Sequence, residues 1–278
     1  MAYAFDAKPR VSWGLAPAAG MAVSAALLFG VQVPLAGYAT LLASLISAFV
    51  LDRDLFRSLV LVGLGLGIVS TISVAANISY GNIALMGAVL SLAVAAPYVS
   101  ERWGFPRLGV GRFDRRAIRF PINTGQRWTV LERAYLPIVL VLGYVILPFY
   151  FIGSGAYRNW PAIHAPDELV RLFIGVNFVG IWDEMFFICL VFALLRRHFP
   201  VWQANLLQAV IFVSFLWELG YRAWGPLMTF PFALLQGYIF ARTRSLTYVV
   251  CVHLLFDLVV FLVLVHAHNP GWLPIFLH

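Results

Sequence analysis

Charged side chains are scarce in this chain. Asp, Glu, Lys and Arg make up 11% of its 278 residues, against about a quarter in soluble domains. So little charge cannot clothe a folded core in a wettable surface. Cysteine is nearly absent too. Cys189 and Cys251 both sit inside apolar runs, which argues against a disulfide framework and for helix packing. No Cys/His pattern has zinc-ligand spacing, and no Gly-rich segment follows a strand as a phosphate loop does. The net charge of +7 comes without any nucleic-acid-binding module. Basic loops beside anionic lipid account for it better than a nucleic-acid partner. No residue pattern identifies a cofactor.

What the chain has in abundance is hydrocarbon, with 62% hydrophobic residues and a mean hydropathy of +0.88. A membrane span needs about 20 mostly apolar residues. Candidate runs lie at 13–32, 34–51, 58–76, 82–100, 134–154, 171–195, 201–219, 226–241 and 246–266. The expected fold is all-α, a polytopic transmembrane bundle of about nine helices. The first run has the size of a signal peptide, but the next follows at once, so a retained helix is expected. Basic residues mark the cytoplasmic side. With the N-terminus inside and nine crossings, sixteen of the nineteen Lys and Arg fall on the cytoplasmic side; Arg158, Arg171 and Arg222 fall outside. The C-terminal tail then lies outside. The segment 101–133 carries eight arginines and reads as a basic cytoplasmic linker. It divides the chain into a four-helix part, 1–100, and a five-helix part, 134–278. Ser70, Thr71 and Ser73 are read as small polar residues within an N-terminal span. Gly63, Gly65 and Gly67 read as close-packing positions. Trp103, Trp128, Trp160, Trp224 and Trp272 read as an interfacial belt.

Ionisable residues at membrane depth are costly and point to function. The C-terminal part holds Asp183, Glu184, Glu218, His253 and Asp257, with Asn177, Gln208 and Gln236 as neutral polar company. At 1.5 Å per residue, Asp183 and Glu184 lie roughly 18 Å from the cytoplasmic end of their helix; His253 and Asp257 lie roughly 10 and 17 Å from theirs. Overlapping depths on two helices suggest a shared interior cavity. Glu218 lies deeper, on a third helix. His253 and Asp257 stand at i and i+4 on one helix face, where the carboxylate can accept from a ring nitrogen and fix its tautomer. Asp183 and Glu184 are adjacent and point about 100° apart, so one can face the cavity while the other pairs elsewhere.

These residues fall in motifs. Trp182-Asp-Glu-Met-Phe-Phe-Ile-Cys189, running on to Leu195-Arg-Arg-His-Phe199, resembles the Glu-Glu-x-x-x-Arg motif of the CPBP family, the CAAX proteases and bacteriocin-processing enzymes also called Abi. The stretch from Gln236 to Leu246 resembles that family's Gly-containing helix and its Arg-Thr-Gly-Ser-Leu turn. His253-Leu-Leu-Phe-Asp257 resembles its final His-x-x-x-Asn/Asp motif. The resemblance covers about residues 170–265. It implies a CAAX-protease-like C-terminal half in a bacterial plasma membrane and intramembrane proteolysis by an acid-activated water with assisting histidines. Asp183, Glu184, His253 and Asp257 are then the catalytic candidates.

Three departures qualify that expectation. Asp183 is one methylene shorter than the family's Glu. Ile188 stands in place of the Arg. The Phe-x-x-x-His motif is absent: Leu216 follows Phe212 at the fourth place, and Leu219 follows Phe215. A lost oxyanion donor costs a factor of about 100–1000. The first expectation is therefore a catalytically silent relative, a scaffold or a partner of other subunits in a membrane complex. The alternative is a divergent endopeptidase acting on a peptide substrate, with Asp183 as base and His253 as oxyanion donor. A third is an oxygen-rich metal site drawn from Asp183, Glu218, His253 and Asp257.

Overall fold

The computed structural model describes residues 12–103, 118–272 and 274–276. Lys8, Arg10 and the linker arginines Arg107, Arg112, Arg115 and Arg116 lie outside the described residues. Among the described residues nine helices carry the fold: α1 Leu15–Gly30, α2 Pro34–Leu51, α3 Arg53–Val69, α4 Tyr80–Trp103, α5 Val130–Phe151, α6 Pro166–Leu195, α7 Val201–Leu219, α8 Gly225–Thr243 and α9 Leu246–His268. No strand occurs among the described residues. Five of these described helices, α2, α4, α5, α6 and α9, are long and apolar enough to cross a membrane. Helices α7 and α8 are less apolar for a physical reason. Asn205, Gln208, Glu218 and Gln236 are buried within the bundle.

Local chemistry sets the helix ends. Gln32, at φ 60°, turns the chain, and Pro34 opens α2, making a tight hairpin between α1 and α2. Small residues let the two helices touch. Ser24 Oγ donates to the Gly37 carbonyl at 2.8 Å, and Ser44 lies against Gly20. Asp52 caps α3 by accepting from the amides of Asp54 and Leu55, an arrangement worth about 1 kcal/mol. This cap starts α3 at Arg53, earlier than the 58–76 run suggested, and the helix ends at Val69. Ser70, Thr71 and Ser73 therefore lie in the connection after α3 and not mid-span. The hydroxyls of Ser70 and Thr71 bond back to Gly67 and Ile68 carbonyls, which competes with helix continuation. Helix α6 likewise starts before residue 171, because Pro166 suits its first turn and Glu168 accepts from the amides of His164 and Ala165.

The helices run alternately up and down, and the connections at each end meet one another. At one end Ser58 contacts His198 at 2.9 Å, and the Leu246 amide donates to Pro121 O at 3.0 Å. At the other end Ala76 N donates to Leu219 O, Arg171 to Ile78 O and Asn159 to Gly220 O. One apolar core runs through both the four-helix and the five-helix parts, from Ala18 and Met21 to Val263 and Leu264. Of the three glycines in α3, Gly65 is the one that close packing demands, since a Cβ there would meet the Phe186 ring. Trp103 and Trp272 are exposed as a belt requires. Trp160 is buried at 6% exposure, packed on Phe151 and Tyr221, so it belongs to an interior aromatic cluster and not to the belt.

Candidate functional site

The site is built on α6, α8 and α9. Helix α6 changes its winding at Glu184, where nine π-helical residues begin and continue to Phe192. Such segments are rare and frequent at functional sites. The wider turn places Asp183 and Glu184 closer in angle than an α-helix would. Trp182 anchors the segment: its Nε1 donates to Leu90 O of α4 at 2.7 Å, and its ring stacks on Phe186 at 5.0 Å.

His253 is the centre of the arrangement. Its Nδ1 lies 2.7 Å from Glu184 Oε1. Its Nε2 lies 3.8 Å from Asp183 Oδ2 and 3.8 Å from Asp257 Oδ1, beyond direct hydrogen-bond range. Gln236 of α8 donates through Nε2 to the same Glu184 oxygen at 2.7 Å and to Val249 O at 3.2 Å. All four ionisable groups are shut from solvent: Asp183 is 1% exposed, Glu184 0%, His253 4% and Asp257 3%. Phe212 and Phe232 flank the imidazole at 6.2 and 5.2 Å.

Two expectations change in detail. The ring nitrogen is held by Glu184, not by Asp257. The reason is a notch at Gly180 on α6, where a Cβ would overlap Asp257 Oδ2 and stand 3.2 Å from His253 Cδ2. The Asp257 carboxyl seats in that notch and stays 3.8 Å from the ring. Asp183 and Glu184 do not part company either, because the π-helical start turns both toward His253.

Each carboxyl keeps one buried oxygen without a hydrogen-bond partner: Asp183 Oδ1, Glu184 Oε2 and Asp257 Oδ2, with Gln236 Oε1 beside them. An unpaired buried acceptor costs about 1–3 kcal/mol. A site that handles a polar reactant gains from such free lone pairs. An acid near an imidazole can take a proton from water, and a doubly protonated imidazole can donate to an oxyanion.

Glu218 stands apart. Its Oε1 accepts from Ser73 Oγ and Val74 N, both at 3.2 Å, so it pins the connection between α3 and α4. Asn177 is satisfied within its own helix by Phe173 O. Among the described residues no group of three or more His, Cys, Asp and Glu is arranged to hold a metal ion; the candidate metal set of Asp183, Glu218, His253 and Asp257 is not gathered as a coordination shell. Sequence reasoning placed Gln236 only as neutral company and missed Gly180. The signal for Gly180 was its place three residues before Asp183, on the same helix face.

The family model for type II CAAX prenyl endopeptidase Rce1-like proteins matches residues 165–259. That stretch runs from the approach to α6 through the Asp257 motif on α9, and so contains every residue that meets at His253. No curated protein and no solved structure matches the chain. Residues 165–259 are thus similar to Rce1-like proteins, and the five long apolar helices among the described residues mark a multi-pass membrane protein.

Proposed function

We propose that the chain is a divergent intramembrane endopeptidase in which Asp183 activates water and His253 stabilises the oxyanion. The convergence of Asp183, Glu184 and Asp257 on His253 carries this reading. Glu184 and Gln236 lock the imidazole and present Nε2 to the space between the two aspartates. Asp183 Oδ1, with no other partner, takes a proton from water as the oxygen attacks a peptide carbonyl. The carbonyl π-electrons move to its oxygen, and Nε2–H of the imidazolium donates to that oxyanion. The oxyanion electron pair then re-forms the carbonyl, the C–N bond breaks, and the proton on Asp183 passes to the leaving amine. The substrate is a membrane-tethered peptide. The reading also places the chain in a bacterial plasma membrane, N-terminus in the cytoplasm and C-terminus outside. The support is the excess of basic residues at one end of the helices and the anionic inner leaflet.

A second reading is favoured by the closure of the cluster. Exposure of 4% or less and Phe212 and Leu216 at the places of the missing motif suit a silent relative that acts as a scaffold or partner subunit. Purified chain in phospholipid vesicles, offered a farnesylated CAAX peptide and a solubilised membrane proteome, separates the two. The peptidase reading expects new peptide termini by mass spectrometry. It expects rates reduced about 100–1000-fold in His253→Ala, and a comparable loss in Asp183→Asn, with melting temperatures retained. Glu218→Gln, outside the cluster, keeps the rate. No new termini from the wild-type chain would hand the site to the silent-partner reading.

A further inference from the structure

A groove of about 540 Å³ lies between the first turns of α7 and the second half of α8. Leu206 of α7 and Leu234 and Leu235 of α8 form its walls, and Trp202 and Tyr238 stand at its rim, 66% and 52% exposed. Asn205 closes it with every polar atom engaged: Nδ2 donates to Leu234 O at 2.7 Å, and Oδ1 accepts from Gln208 Nε2 at 2.9 Å. The base of the groove therefore offers no free amide, and the polar groups that line it, the Tyr238 phenol and the Trp202 indole N–H, stand only at the rim. Along α8, Leu234, Tyr238 and Arg242 recur every four residues on one face. Over about 12 Å of helix the stripe passes from hydrocarbon to phenol to guanidinium. Arg242 is exposed and forms no ion pair among the described residues.

We infer that this groove holds an acyl chain of an anionic phospholipid whose phosphate rests on Arg242. The order of side chains along the stripe repeats the order of a leaflet: tails, interfacial zone, headgroup charge. A peptide backbone would bring a row of N–H and C=O groups against leucine walls, with polar partners only at the Tyr238 and Trp202 rim. Gln236, which serves Glu184, faces away from the stripe, so the lipid site stands whether or not the chain is a peptidase.

Native mass spectrometry of the purified full-length chain, with palmitoyl-oleoyl phosphatidylglycerol or the matching phosphatidylcholine added to the micelles, tests this. One phosphatidylglycerol is expected to stay bound in preference to phosphatidylcholine. Arg242→Gln should cut that preference about fivefold, the equivalent of the ~1 kcal/mol that one arginine contributes at an anionic surface. Arg242→Glu should invert it, and Leu206→Trp, which fills the groove, should release both lipids. An unchanged preference in both Arg242 variants overturns the proposal, as does a dimer that retains no lipid.

Discussion

Gly180 shows how one missing methyl group shapes the cluster. A Cβ there would overlap Asp257 Oδ2 and press on His253 Cδ2 at 3.2 Å, so alanine must push α6 from α9 or eject the carboxyl. Overpacking of this kind costs about 1–3 kcal/mol. Gly180→Ala should lower unfolding stability in micelles by that amount. Asp257→Ala removes the obstructing carboxyl, so the double variant should lose less than the sum of the two singles. Strict additivity would mean that the notch does not hold Asp257. The His253 motif was legible because i and i+4 place both side chains on one face. Its true partner was not, since the bond to Glu184 crosses 69 residues of sequence, and no local spacing encodes a contact between helices.

Helices were legible for the same reason that partners were not. The apolar runs mark all nine described helices near their predicted places, although only five are long and apolar enough to cross a membrane. Their ends shifted where a single polar atom intervened, as Asp52 does before α3. The π-helical winding of α6 left no trace in the sequence, because Met185 to Phe192 is apolar on every side and a change in twist moves no polar residue to a new face. The connection between α3 and α4 is the clearest case of an element fixed from a distance. Glu218 at the end of α7 accepts from Ser73 and Val74, and Leu219 O accepts from Ala76. Glu218→Leu leaves the Val74 amide without its acceptor, at a cost of about 1–3 kcal/mol. Amide exchange should then quicken across residues 70–79 and remain slow in α9 around His253. Unchanged exchange in the connection would show that it is held by apolar packing alone.

At the scale of the whole molecule, the four-helix part is not a detachable platform. Trp182 bonds across to Leu90, Phe186 enters the space left at Gly65, and a single core continues through both parts. These two contacts flank the residues that approach His253, so the N-terminal helices brace the π-helical start of α6. Trp182→Phe keeps an aromatic ring and its stacking on Phe186 but deletes the bond to Leu90 O, leaving that carbonyl without the indole donor. A neutral buried hydrogen bond contributes about 0.5–1.5 kcal/mol net, so the stability loss should be small. The consequence for the cluster should be larger, because misplacement of a positioned group by about 1 Å can cost two orders of magnitude in rate. Should the chain cleave peptides, Trp182→Phe is expected to lower kcat far more than its change in melting temperature implies, with KM little altered. A fall in kcat that merely tracks the unfolded fraction would confine Trp182 to packing, and the N-terminal helices would then have no part in setting the geometry at His253.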